Sequence, residues 1–218
     1  MMGRLRGLKQ LLGTLSSSNL LPGLDLIMAT ACGTLVRLFH VLRCDFPLND
    51  GGLFHAMVSD LMRSNYTLPE YISYNSASIP FAYPPLPFYT AAVASHLTTL
   101  SVLDILRFLP VAVSIAAIPA FYVLSRALSQ SRLQLAVSVF AFALAPRSFI
   151  WIIMGGGLTR SFGFLFMLLT MASACALHSA RRSRFVLTTA LFGSLTILSH
   201  PESAVYMILT LGVLSVFR

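Results

Sequence analysis

Three stretches of the chain carry residue types that could do chemistry, and each lies at a turn beside an apolar run. The first is Asp50-Gly51-Gly52, within residues 46–66 (FPLNDGGLFHAMVSDLMRSNY). A carboxylate there could act as general base towards an acceptor hydroxyl, or could ligate a metal. Two glycines leave the backbone free to turn and let a ligand approach closely. The second stretch is Gly155-Gly156-Gly157-Leu158-Thr159-Arg160. Backbone N–H groups at a helix start, together with a guanidinium, suit a phosphate. The third is His200-Pro201-Glu202, a pair that could orient a substrate or relay a proton. Tyr83 and His55 are further candidates for substrate contact.

Each candidate also has a structural reading. Asp50 is placed to be the N-cap of the helix that follows it. Arg160 would serve as an interfacial anchor after a flexible turn. Pro201 and Glu202 fit ordinary helix-start chemistry. Tyr83, followed by Pro84-Pro85, would shape a loop, and His55 would sit at an interface. Asp45, Glu70 and Glu202 are possible second acids beside Asp50. The Arg160 turn holds no carboxylate, so a dedicated divalent metal is not favoured and no cofactor is expected. The triple glycine is no P-loop, because no Gly-Lys-Ser/Thr follows it.

The elements that must hold these residues are read from composition and periodicity. The 218 residues are 56% hydrophobic and only 10% charged, with a mean hydropathy of +0.80. Soluble domains carry about 25% charged residues. The chain therefore reads as an all-α polytopic transmembrane bundle. Apolar runs predict helices at about 20–42, 106–125, 133–152, 161–179, 185–199 and 203–217, after a basic lead at 1–19. The net charge of +8 is spread in small groups, which reads as an orientation signal and not as a nucleic-acid surface. Cys32, Cys44 and Cys175 show no metal-type spacing. Arg4, Arg6 and Lys9 ahead of an apolar run imitate a signal peptide, but the run continues to Leu42 and reads as an uncleaved anchor.

Residues 43–104 are expected to form a long first external loop. Leu53, Phe54, Met57, Val58, Leu61 and Met62 recur at helical spacing, with His55, Ser59, Asp60 and Arg63 opposite. That pattern predicts an amphipathic helix at 53–63 lying in the plane of a membrane interface. Four prolines within 80–87 forbid a regular helix there. Residues 88–101 are apolar but short of the roughly 20 needed to cross, so a re-entrant or in-plane segment is expected. Arg4/Arg6/Lys9, Arg126/Arg132, Arg181/Arg182/Arg184 and Arg218 then share one side, the cytoplasmic one, together with the N-terminus. Asp45, Asp50, Asp60, Glu70, Asp104 and Glu202 share the other, with the 147–160 turn and His200. Arg37, near the far end of the first helix, would either snorkel or face the bundle, where buried charge is expensive.

The order of these parts resembles the N-terminal part of the GT-C membrane glycosyltransferases, which include protein O-mannosyltransferases, aminoarabinose transferases and oligosaccharyltransferase catalytic subunits. The resemblance rests on five features in order. They are Leu42-Arg43 closing the first helix, Asp50 opening the first external loop before an in-plane helix, Tyr83-Pro84-Pro85-Leu86, Leu106-Arg107-Phe108-Leu109-Pro110, and Ala145-Pro146-Arg147 before an Arg-containing turn. It implies a polyprenyl-phosphate-linked or polyprenyl-diphosphate-linked sugar donor, with Asp50 matching the family's first-loop acid. Many members carry a second acid where this chain has Gly51, and one branch has acids in the second external loop, which this chain lacks. Members are longer, so the resemblance implies that this is a fragment. The expected function is sugar transfer to an acceptor hydroxyl on the external face of an inner or plasma membrane, with membrane lipid and the lipid-linked sugar as partners. Asp50 is the expected base and Arg160 the expected phosphate holder. A transporter or lipid-binding protein, or a non-catalytic scaffold of the same fold, is the alternative.

Overall fold

The computed structural model describes residues 23–45, 50–154, 157–180 and 182–216. The expected lead at 1–19, Gly155, Gly156, Arg181 and Arg218 lie outside the described residues. The structure is about 80% helical. In order, the helices are α1 (Leu24–Leu42), α2 (Gly51–Arg63), α3 (Leu86–Leu97), α4 (Val102–Leu128), α5 (Arg132–Leu144), α6 (Ile150–Ile153), α7 (Gly157–Ala180), α8 (Ser183–Ile197) and α9 (Pro201–Val216). Between α2 and α3, strands β1 (Tyr71–Ile72) and β2 (Ile79–Pro80) form a minimal antiparallel ladder.

Three helices, α1, α4 and α7, are long and apolar enough to cross a membrane; α5, α8 and α9 are apolar but shorter. Large apolar side chains face outward on α1 (Ile27, Leu35), α8 (Leu187, Leu191) and α9 (Ile208, Leu209). Water would not tolerate so broad an apolar exterior on a monomer. α4 is central and touches α1, α2, α3, α5, α6 and α7. α1 meets it through a stripe spaced four residues apart, Ala29, Gly33, Arg37 and Val41. Small residues at that spacing let helix backbones approach closely. A Cβ on Gly33 would fall 2.6 Å from the Ile118 side chain.

The span expected at 133–152 is broken. α5 stops at Leu144, Pro146–Ser148 forms a 3₁₀ turn, and α6 follows as a single turn. Pro146 has no N–H to continue the ladder and pushes Ala145 to extended backbone (ψ 119°). The helix expected from 161 begins earlier, at Gly157. There the chain doubles back on α6, and a Cβ on Gly157 would lie 1.8 Å from the Ile152 carbonyl oxygen. Only glycine fits that approach. α3 is shorter than expected, ending at Leu97, and at 12 residues it is too short to cross.

The amphipathic stripe of α2 is present but is covered by protein. Phe54, Met57, Val58 and Leu61 are each at most 1% exposed, and they pack with Phe88 of α3, Leu106 of α4 and Leu158 of α7. Docking onto the bundle accounts for the stripe without insertion into lipid.

Candidate functional site

The connection from α1 to α2 is held by α4. Arg107 Nη2 donates to the Cys44 carbonyl oxygen at 2.5 Å, and the guanidinium stands 4.0 Å from both Asp45 and Asp104. Asp50 then occupies the N-cap position of α2. Its carbonyl accepts from the Phe54 N–H, but its carboxylate makes no cap hydrogen bond. The capping role read from the sequence is therefore not what the side chain does. One turn on, the Phe54 ring lies 5.1 Å from the ring of Tyr83 and 5.0 Å from that of Phe88, both edge-on. Edge-to-face contacts at this spacing are favourable beyond the area they bury. Tyr83 is thus fixed beside the start of α2.

Arg160 lies inside the first turn of α7, between Leu158 and Phe162, which both belong to the cluster that holds Phe54 and Phe88. Its guanidinium carbon stands 5.9 Å from the Trp151 ring centre, and it makes no hydrogen bond or ion pair among the described residues. A cation at a helix N-terminus opposes the helix dipole. An anion bound there would reverse that cost and occupy the free guanidinium donors.

His200 is the N-cap of α9. Ser203 N–H donates to its Nδ1 at 3.3 Å, and Ser203 Oγ lies at the same distance. Nδ1 must hold a lone pair to accept, so the ring proton sits on Nε2. Burial holds the His200 pKa below the ordinary imidazole value; Glu202 pulls it back up and Arg160 pushes it further down. The neutral ring is therefore the dominant form at pH 7. Two contacts join this corner to the others. The Leu86 N–H, next to Pro84-Pro85, donates to the Leu198 carbonyl at 3.2 Å. On α7, Gly163 faces His200 so closely that a Cβ there would lie 2.5 Å from His200 Cβ.

Phe54 and Tyr83 thus share one cluster with Leu158 and Phe162, the neighbours of Arg160, and Arg160 acts in turn on His200. His55 stays apart, whereas Glu202 lies within electrostatic reach of His200. His55 is exposed on the side of α2 away from Phe54. Glu202 is exposed and accepts from Tyr206 Oη at 3.1 Å on its own helix. Other acids on this face have structural work. Asp60 accepts from Ser73 N–H and Oγ, at 2.6 and 2.9 Å, and pins the β1–β2 loop. Asp104 completes the Ser101 cap of α4. Among the described residues no three His, Cys, Asp or Glu side chains gather as a metal site would require.

Arg107 and Gly163 were not foreseen as site residues. Arg107 carried a signal, a cation at the head of an apolar run. Gly163 carried only the weaker one of a glycine inside such a run.

Arg37 faces the bundle and is fully buried. Its Nε donates to Ser114 Oγ at 3.0 Å, and Nη1 donates to the carbonyls of Gly33 at 3.1 Å and Ala143 at 2.7 Å. The Phe149 ring covers the guanidinium at 4.5 Å. Ala143 is near the C-terminus of α5, where carbonyls lack helical partners and the dipole favours a cation. Arg37 therefore closes the broken end of α5.

Comparison with known protein families, curated proteins and solved structures gives no match to the chain.

Proposed function

We propose that this is a multi-pass membrane glycosyltransferase-like protein that takes a sugar from a polyprenyl-phosphate-linked donor. The observation that supports the reading is the guanidinium of Arg160, without a hydrogen bond or ion pair among the described residues, in the first turn of α7 and within electrostatic reach of His200; Asp50, whose carboxylate makes no cap bond, supplies the acid. In this reading an acceptor hydroxyl attacks the anomeric carbon. Its proton passes to Asp50. The bond from that carbon to the phosphate oxygen breaks, and the phosphate leaves with the electron pair. Arg160 and the α7 N-terminus hold the departing phosphate. Tyr83 and His200, through Nε2–H, line the donor's sugar side. His55, exposed on α2, takes no part, and Glu202 acts through its charge on His200.

The basic groups Arg126/Arg132 and Arg182/Arg184 put the opposite end in the cytoplasm, so transfer occurs on the external face of an inner or plasma membrane. The test is transfer of labelled sugar from polyprenyl-phosphate donors by membranes holding the longest available gene product. Wild type should transfer, and Asp50→Asn, expressed to the same level, should not. A fully active Asp50→Asn removes Asp50 as the base. The rival transporter reading predicts donor binding that is unchanged by Asp50→Asn and no transfer by either protein.

A further inference from the structure

At the end of the bundle opposite Asp50, α1 begins and α4 ends beside the start of α5. A cleft of about 380 Å³ opens there, lined by Gly23, Asp25, Tyr122, Arg126, Ser129, Gln130, Ser131, Arg132 and Leu135. Its size falls in the range of small-ligand sites. Asp25 Oδ1 is shielded from solvent and has no hydrogen-bond partner. A desolvated carboxylate oxygen without a partner is costly, and a cationic donor would remove the cost. Arg126, in the last turn of α4, makes no hydrogen bond or ion pair among the described residues. No ion pair joins Asp25 to Arg126, and Arg132, which is partnered, adds a second cation to the lining, so the cleft offers a negative point separate from its positive ones. Tyr122 and Ser129 add neutral hydrogen-bonding groups to the lining. Ile27 and Met28 on α1 and Leu133 on α5, near in sequence to the lining residues, are exposed apolar side chains.

We propose that this cleft is a headgroup site for a phospholipid that carries both a phosphate and a primary amine. Arg126 takes the phosphate, Asp25 takes the ammonium, and the acyl chains lie along α1 and α5. The inference is independent of the chemistry at the Asp50 end. A lipid with a phosphate alone satisfies only Arg126. A quaternary amine has no N–H to donate to Asp25.

The test is native mass spectrometry of the detergent-solubilised full chain, titrated with short-chain phosphatidylethanolamine, phosphatidylglycerol and phosphatidylcholine. Wild type should retain phosphatidylethanolamine at least tenfold more tightly than either other lipid. Asp25→Asn should bring phosphatidylethanolamine down to the phosphatidylglycerol level, and Arg126→Gln should weaken both. Equal binding of the three lipids by wild type overturns the proposal, and that comparison needs no variant to fold. A preference for phosphatidylethanolamine that survives in Asp25→Asn overturns it as well.

Discussion

Gly163 on α7 and His200 at the head of α9 meet without room for a methyl group. A Cβ on residue 163 would lie 2.5 Å from His200 Cβ and 3.0 Å from Ser203 Oγ. The close approach sets where the imidazole stands relative to Arg160, one turn earlier on the same helix. Gly163→Ala must push α9 away from α7. Overpacking of this kind costs about 1–3 kcal/mol, so the variant should melt at lower temperature than wild type. It should also bind polyprenyl phosphate more weakly. A variant with unchanged melting and binding would show that the contact does not set the site.

His200 makes stability depend on pH. Its folded pKa is depressed by burial, so below about pH 6.5, the ordinary imidazole value, the unfolded chain binds the extra proton more readily. Stability should therefore be level above that pH and fall as pH drops through it towards the folded value. His200→Asn keeps an N-cap acceptor for the Ser203 N–H and removes the titration. Melting curves between pH 7.5 and 5 should show a steeper acid decline in wild type than in this variant. Parallel declines would contradict the assignment of a neutral, capping His200.

Arg37 holds three helices without a carboxylate. Arg37→Ala would strand the Ala143 carbonyl and Ser114 and would leave a void beneath Phe149. Losing buried hydrogen bonds and the packing they brace costs about 2–5 kcal/mol. The expected result is a large fall in melting temperature. Asp50→Asn, by contrast, removes no hydrogen bond of the carboxylate among the described residues, and its melting temperature should stay within the range of a neutral surface change, about 0.5 kcal/mol. Thermal unfolding of both variants in one detergent checks the contrast.

How much of this was legible in the sequence depends on the residue. The apolar runs marked a helix at each of the six expected places, of which three are long and apolar enough to cross a membrane, because burial in lipid or in the bundle demands the same composition. The break after Leu144 followed from Pro146, yet the apolar run through 152 hid it, since hydropathy does not register a missing N–H. The α2 stripe was correct in its residues, and the bundle covers it. Periodicity shows that Phe54, Met57, Val58 and Leu61 share a face, but it cannot say whether protein or lipid covers that face. Arg160 was expected just before its helix and lies within the first turn, because Gly157 can start the helix against Ile152. His55 is exposed on α2, and Glu202, exposed at the head of α9, still acts on His200. His200 was read as a site residue and Pro201 and Glu202 as helix-start residues; the hydrogen bond from the Ser203 N–H to His200 Nδ1 shows that His200 itself caps α9.

The central claim is that Arg160 and the α7 N-terminus form an anion site beside a separate acid. Its most direct test is binding of polyprenyl phosphate to the purified protein, for wild type, Arg160→Ala and Asp50→Asn, at low and high salt. The account predicts saturable binding that weakens with salt, falls at least tenfold in Arg160→Ala and is unchanged in Asp50→Asn. Binding that Arg160→Ala leaves intact, in a sample that melts like wild type, would contradict it.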